Sequence, residues 1–309
     1  MDGKEIKARI QSLLNEETGS DFLEEKTTYD YYNEAALEIA RNTNTLTAEQ
    51  SITTVAEQIG YTLNANFLKM YLKDSSGDFF IKYNDGTTDY FIKWVEYEKI
   101  IFQNNTDSVT IPDRFSIADD QTLDSQVTGT ATSAGTLDAN SGEATLTDTN
   151  ADFSDVSAGD IIHNTTDSSS GVVLSKTSTT VLVTALFPDD PSATVDQDWD
   201  GSDAYVIQPQ GRLRIVMDPP PSTASHTITV YYITKPAPVY ANFRTFRFPQ
   251  HLNLATVKYA AWLYKYKDKE PNFGDKWFVM ADNEMRRGKH GIDRAFNRTN
   301  IRVNMLARK

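Results

Sequence analysis

The chain has 309 residues, no cysteine and a formal net charge of −13. That length admits two domains, since domains run about 100–200 residues, and a hydrophobic content of 39% is enough for a buried core and argues against a disordered chain. The lack of cysteine excludes disulfides, iron–sulfur clusters and thiolate zinc sites. No apolar run approaches the roughly 18 residues of a bilayer span, and the opening MDGKEIKARIQSL has no apolar stretch like that of a signal peptide; the expectation is a soluble protein of a cytoplasm with no membrane partner.

The first predicted element is an amphipathic helix in EIKARIQSLLN, where Ile6, Ile10, Leu13 and Leu14 share one face. After Gly19-Ser20, the stretch TTYDYYNEAALEIARNT places Tyr29, Tyr32, Ala36 and Ile39 on one stripe, with Thr27, Thr28 or Asp30 as candidate caps. Together they predict a helical hairpin. A β region follows: SITTVAEQIGYTL and NFLKMYLKD have strand-like spacing, and DFFIKYNDGTTDYFIKW predicts a hairpin around Asn84-Asp85-Gly86. KWVEYEKIIFQNN fits a short helix or a strand.

Composition changes at Val127. From there to Gln210, Thr, Ser, Gly, Ala and Asp dominate, and short apolar runs (161–162, 172–174, 181–183, 205–207) recur between turn signals. This pattern predicts a small all-β barrel or sandwich. The segment holds thirteen acids against one base, Lys176, whereas 285–309 holds eight bases against one acid, Asp293. Such asymmetry points to modules that face different surroundings. At Gly211 the earlier character returns, and GRLRIVMDPPPSTASHTITVYYITKP reads as two alternating strands joined by a proline-crowded turn. Segment 127–210 therefore reads as an insertion into a strand connection, with its ends close together.

The chain closes with helical patterns. PQHLNLATVKYAAWLYKYKD puts Leu252, Ala255, Tyr259 and Trp262 on one face; FGDKWFVMADNEMRRGKHG follows Pro271, with Gly288 and Gly291 as stop signals. Residues 292–309 look like an arm. The fold class predicted is α+β: an α-helical bundle, made by the N-terminal helical hairpin and the C-terminal helices, with β-hairpins and an inserted small all-β domain.

Chemistry is sparse. His163, His226, His251 and His290 lie far apart with no ligand spacing, and no nucleophile elbow, phosphate loop or dinucleotide fingerprint occurs. DQDWDGSD (196–203) lacks the regular acidic positions and closing Glu of an EF-hand loop and reads as an exposed acidic turn. No enzyme, cofactor or metal is expected. Trp262, Tyr264, Tyr266, Trp277 and Phe278 read as core packing. The bases Arg286, Arg287, Lys289, Arg294, Arg298, Arg302, Arg308 and Lys309, interspersed with Ile292, Phe296, Ile301, Val303, Met305 and Leu306, suit a segment that docks onto another subunit or meets phosphate.

The element order, with YYNEAALEIARNTNTLT, VAEQIGYTLNANFLKMYL, RLRIVMDPPPSTASHTITVYYITKPAPV and FPQHLNLATVKYAAWLYKYKD, resembles the head-to-tail adaptor (connector or neck) proteins of tailed bacteriophages. The resemblance covers roughly 1–125 and 211–290. It implies an adaptor core over 1–126 and 211–284, the acidic β domain over 127–210 and a basic C-terminal arm over 285–309. It implies a structural virion protein of the neck, made in the host cytoplasm. Such a protein forms a twelve-fold ring between the portal and a downstream tail or nozzle protein, and genomic DNA passes through the channel without sequence-specific contact. In that picture Ile6, Ile10, Leu13, Tyr29, Tyr32 and Ile39 pack the subunits' helices, and the arm meets the portal. The alternative is a carbohydrate- or cell-surface-binding module carried by the acidic domain, where Trp199 and Tyr205 are the aromatic candidates.

Overall fold

The computed structural model describes residues 1–15, 24–103, 107–120, 126–190, 196–246, 248–267 and 271–296. The chain divides into two compact units, one of Met1–Thr45 with Pro238–Lys309 and one of Leu46–Ala237.

The first unit is helical: α1 (Gly3–Leu14), α2 (Glu25–Thr43), α4 (Gln250–Lys267) and α5 (Pro271–Phe296). Asp2 caps α1, its carboxylate accepting from the Glu5 amide at 2.8 Å. The next orphan donors of the helix end find partners outside it, as Gly3 N–H reaches Arg244 O at 2.9 Å and Lys4 N–H reaches Asn242 O at 3.0 Å. That approach requires glycine, because a Cβ at position 3 would lie 2.2 Å from Ala241 O. Both helices end on asparagines in the left-handed region, Asn15 and Asn44. α2 begins at Glu25 without a side-chain cap, so Thr27, Thr28 and Asp30 lie inside it. Asn33 ties α2 to the strap before α4: its amide donates to Val239 O at 2.9 Å and accepts from Val239 N–H at 2.8 Å. α4 packs against α1, α2 and α5, and its Ala255, Ala260 and Ala261 are fully buried.

The second unit is β. Its first sheet contains β1 (Thr47–Thr53), β2 (Gly60–Thr62), β3 (Phe67–Met70), β4 (Phe80–Asn84), β5 (Asp89–Trp94), β6 (Arg114–Asp120), β14 (Arg212–Asp218) and β15 (Thr227–Thr234), with the short helix α3 (Tyr97–Gln103) between β5 and β6. The order is β1-β15-β4-β5-β6-β14-β2, with β3 also on β15. Gln50 bridges the two edges, donating to Thr62 O at 3.2 Å and accepting from Asn64 N–H at 2.8 Å, so the sheet curls nearly closed. Its inner residues, among them Tyr61, Tyr83, Phe115, Ile215, Ile228 and Tyr232, form one core. The predicted β4–β5 hairpin is present. In its turn the Asp85 carboxylate accepts from the amides of Thr88 and Thr87 and from the Thr87 hydroxyl, which pulls its pKa down to about 2.

The second sheet contains β7 (Val127–Thr130), β8 (Leu137–Asp138), β9 (Glu143–Thr147), β10 (Ile161–Asn164), β11 (Ser169–Ser178), β12 (Val181–Pro188) and β13 (Ala204–Gln208), in the order β7-β13-β10-β11-β12-β9-β8. Just after β7 the chain crosses to β9, where Ser133 bridges Thr147, so this sheet too wraps round on itself. Its first and last strands are neighbours, Val127 opposite Ile207. The flanking strands β6 and β14 are also neighbours, Asp120 opposite Arg212.

Two expectations are corrected. The fold is not dominated by a helical bundle: strand accounts for 36% of the structure and helix for 25%, and the β segments form two extended sheets rather than separate hairpins. And β14 and β15 are not a hairpin. β14 pairs with β6 and β2, β15 with β1, β4 and β3. Prolines carry no N–H, so Pro219, Pro220 and Pro221 offer carbonyls only: Pro220 O accepts from Val109 N–H at 3.0 Å and Pro221 O from Glu57 N–H at 2.8 Å. The linker is thus bound to other loops, and the two strands it joins separate.

Candidate assembly surface

Ile6, Ile10, Tyr29, Tyr32 and Ile39, expected at contacts between subunits, are buried within one copy of the helical unit, and Leu13 is half-buried. Tyr32 stacks on Phe246 with centroids 4.8 Å apart, and Tyr29 packs against Tyr240 at 6.1 Å. Burial raises both the Tyr29 and Tyr32 phenols well above their ordinary pKa. Tyr240 donates to Asp30 at 2.7 Å. These side chains close the protomer's own core, and of the six only Leu13 keeps surface that a neighbouring copy could cover.

The basic segment begins on α5. This helix runs on through Gly288 and Gly291 to Phe296, and the expected stop does not occur. Glycine weakens a helix by about 1 kcal/mol without ending it unless the chain turns left-handed there. Arg286 and Arg287 are exposed, and Arg286 forms an i,i+4 pair with Asp282 at 2.8 Å. Lys289, Arg294 and Phe296 lie on the same helix. Arg298, Ile301, Arg302, Val303, Met305, Leu306, Arg308 and Lys309 lie outside the described residues.

The same helix carries apolar surface that sequence reading placed in the core or passed over. Phe278, Val279 and Met280 are consecutive, and residues about 100° apart round a helix cannot all face one partner. Phe278 leans on Trp262 at 5.0 Å and Tyr259 at 6.1 Å, while Val279 and Met280 stay exposed at 56% and 44%. Ala281 and Met285 supply the buried face and Tyr264 is buried on α4, so only part of the predicted aromatic cluster is core.

On the first sheet, Phe91 is 65% exposed and meets Phe80 edge to face at 5.3 Å. Its cross-strand partner is Lys82, and that of Phe80 is Lys93. Both lysines are held by carboxylates, Lys82 by Asp89 at 2.9 Å and Lys93 by Asp74 at 2.9 Å and Asp78 at 3.6 Å. This checkerboard of aromatics and paired charges is locally near neutral, unlike the positive grooves that track a phosphate backbone. Val55 and Ile59 are exposed on the loop between β1 and β2, where Glu57 reaches the proline run.

The acidic module reverses the expectation for its aromatics. Trp199 and Tyr205 are 0% and 1% exposed. Trp199 Nε1 donates to Thr184 Oγ1 at 3.0 Å, and Tyr205 Oη donates to Asp148 at 2.8 Å. Neither offers a face on which a sugar could stack, and the DQDWDGSD turn is only partly exposed, with Asp203 buried at its end.

His163 is exposed on β10, and His226 Nδ1 shares a hydrogen bond with Tyr83 Oη at 2.8 Å. Among the described residues no three His, Asp or Glu side chains form a ready metal-ligand set, and no helix is long and apolar enough to cross a membrane. No protein-family model matches the chain, and the search of curated proteins found no significant match.

Proposed function

We propose that this chain is a structural virion protein that assembles into a ring joining a phage portal to the tail, and that it acts without catalysis. The observation that carries this reading is the surface of α5. Val279 and Met280 stand unburied on a helix whose following turns present Arg286 and Arg287. An apolar turn with basic flanks suits a protein interface whose centre excludes water and whose rim sets orientation. The sequence resemblance supplies the partners: neighbouring copies, the portal, a downstream tail or nozzle protein, and DNA passing through without base-specific contact. The acidic sheet would repel DNA if it lined the channel, which favours an outer position.

The test is Val279→Asp with Met280→Asp. Both side chains are exposed, so the monomer's melting temperature should stay within about 2 °C, surface changes being within about 0.5 kcal/mol, while assembly with the portal is lost. Assembly equal to that of the parent chain would remove the observation on which the proposal rests.

A further inference from the structure

One exposed side of α5 carries bases that its own helix does not neutralise. Lys276, Met280, Asn283 and Arg287 are all exposed. Their spacing places them within about 60° of one another round the helix and over about 16 Å along it. No acid falls in that stripe. Of the acids beside it, Asp282 is taken by Arg286 at 2.8 Å and Glu284 by Lys258 at 2.9 Å, and Asp275 stands about 100° round the helix from Lys276. Among the described residues neither Lys276 nor Arg287 has an ion-pair partner.

The opposite sign sits on the second sheet. Segment 127–210 holds thirteen acids and one base, and that base, Lys176, is held by Phe153 O at 3.0 Å and Ser154 O at 2.6 Å. Asp189 and Asp200 are exposed, and among the described residues neither carboxylate has a hydrogen bond or ion pair. Both stand at the end of the sheet that carries the turn between β10 and β11. Asp189 N–H reaches Ser168 O in that turn at 3.0 Å. Asp200 N–H reaches Asp203 at 2.7 Å, and Asn164 at the end of β10 holds the same carboxylate at 3.0 Å.

We propose that the Lys276–Arg287 stripe of α5 docks on the acidic end of the second sheet of a second copy of this chain. This rests on the reading of α5 as the assembly surface and names what that surface meets. The two surfaces are complementary in charge, which orients the partners and speeds their encounter, and Met280 gives the stripe an apolar middle. The two surfaces are also different, so each copy offers one to each neighbour, the head-to-tail contact that closes into a ring when its rotation permits. A two-fold contact through either surface would set like charge against like. A single contact of this kind is weak, so the free chain stays monomeric when dilute and associates only when concentrated.

Charge reversal in two separate full-length chains tests the contact. One chain carries Lys276→Glu with Arg287→Glu, the other Asp189→Lys with Asp200→Lys. All four side chains are exposed, so both chains should stay folded, and circular dichroism checks that they do. Sedimentation velocity of concentrated protein at low salt, without portal, reads the contact. The parent should associate, and about 1 M salt, where the Debye length is about 3 Å, should disperse it. Each reversed chain alone should self-associate at least about tenfold more weakly. An equal mixture of the two should recover association, because the unreversed α5 of one meets the unreversed acidic end of the other; a contact within one chain would not be rescued by mixing. A parent that does not associate, a mixture that stays dispersed, or an α5-reversed chain that associates like the parent overturns the proposal. Loss of DNA binding on α5 reversal with association intact would overturn it as well and assign the stripe to nucleic acid. Rings on the portal are a separate readout: their absence when the mixture recovers faults the adaptor reading alone, and their presence when the mixture stays dispersed faults the docking alone.

Discussion

Replacing Trp199 by alanine tests the reading of the acidic module most sharply. The side chain is fully buried among Ala131, Ala144, Leu146, Phe153, Leu182 and Ile207. It meets Tyr205 edge to face at 6.3 Å and 89°, and its N–H donates to Thr184 at 3.0 Å. Truncating a buried aromatic to alanine costs about 3–5 kcal/mol. The lost hydrogen bond is a small part of that, because Thr184 keeps its own bond to Ala144 O at 3.1 Å and its exposed lone pair costs about 1 kcal/mol. The expectation is therefore a loss of about 4 kcal/mol in the opening free energy of the module. By the conversion of 1.4 kcal/mol per decade, this is a fall of about a thousandfold in amide protection. Hydrogen exchange with mass spectrometry on peptides from 127–208 measures it directly, and peptides from the helical unit serve as the internal control. A fall of less than tenfold would refute the buried placement and would return Trp199 to the surface, where a sugar-binding role could be argued again.

The Asp198 carboxyl is pushed up to about 6 by partial burial and by Asp196, Asp200 and Asp203. Between its unperturbed 3.8 and 6 the folded state therefore holds the extra proton, and stability falls as pH rises through that window. Asp198→Asn should melt higher than the parent above pH 6 and equally near pH 4; a variant that melts lower than the parent above pH 6 would contradict the repulsion. Deleting 127–210 should leave a cooperative melt, because Asp120 and Arg212 are already cross-strand partners and a short turn can join β6 to β14. A non-cooperative melt would show that the first sheet depends on the second. The Asp substitutions at Val279 and Met280 should abolish assembly while sparing the fold.

What the sequence disclosed follows the range of the interactions. The helices were legible from local periodicity, since Ile6, Ile10 and Leu14 recur at helical spacing and are buried together. The β4–β5 hairpin was legible from Asn84-Asp85-Gly86, where side-chain acceptors and a positive φ at Gly86 define the turn. The pairing of β1 with β15, or of β14 with β2, joins segments far apart in the chain, and no local pattern specifies it. For that reason a set of hairpins on a helical bundle was expected where two wrapped sheets exist. Trp199 misled because acids flank it on both sides in a loop with no strand periodicity to show its face: Asp200 is exposed and Asp198 half-buried, while the indole is buried. The α5 surface could have been found: three consecutive apolar residues in a helix cannot share one buried face.

Assembly is read from the mass of the particle. Native mass spectrometry or light scattering would be applied to the full chain alone and after mixing with its portal. The parent chain should be a monomer that becomes a ring of many copies on the portal, and the Val279→Asp, Met280→Asp chain should stay monomeric under the same conditions. A parent chain that remains a monomer or small oligomer in the presence of portal would rule out a role as a ring on the portal.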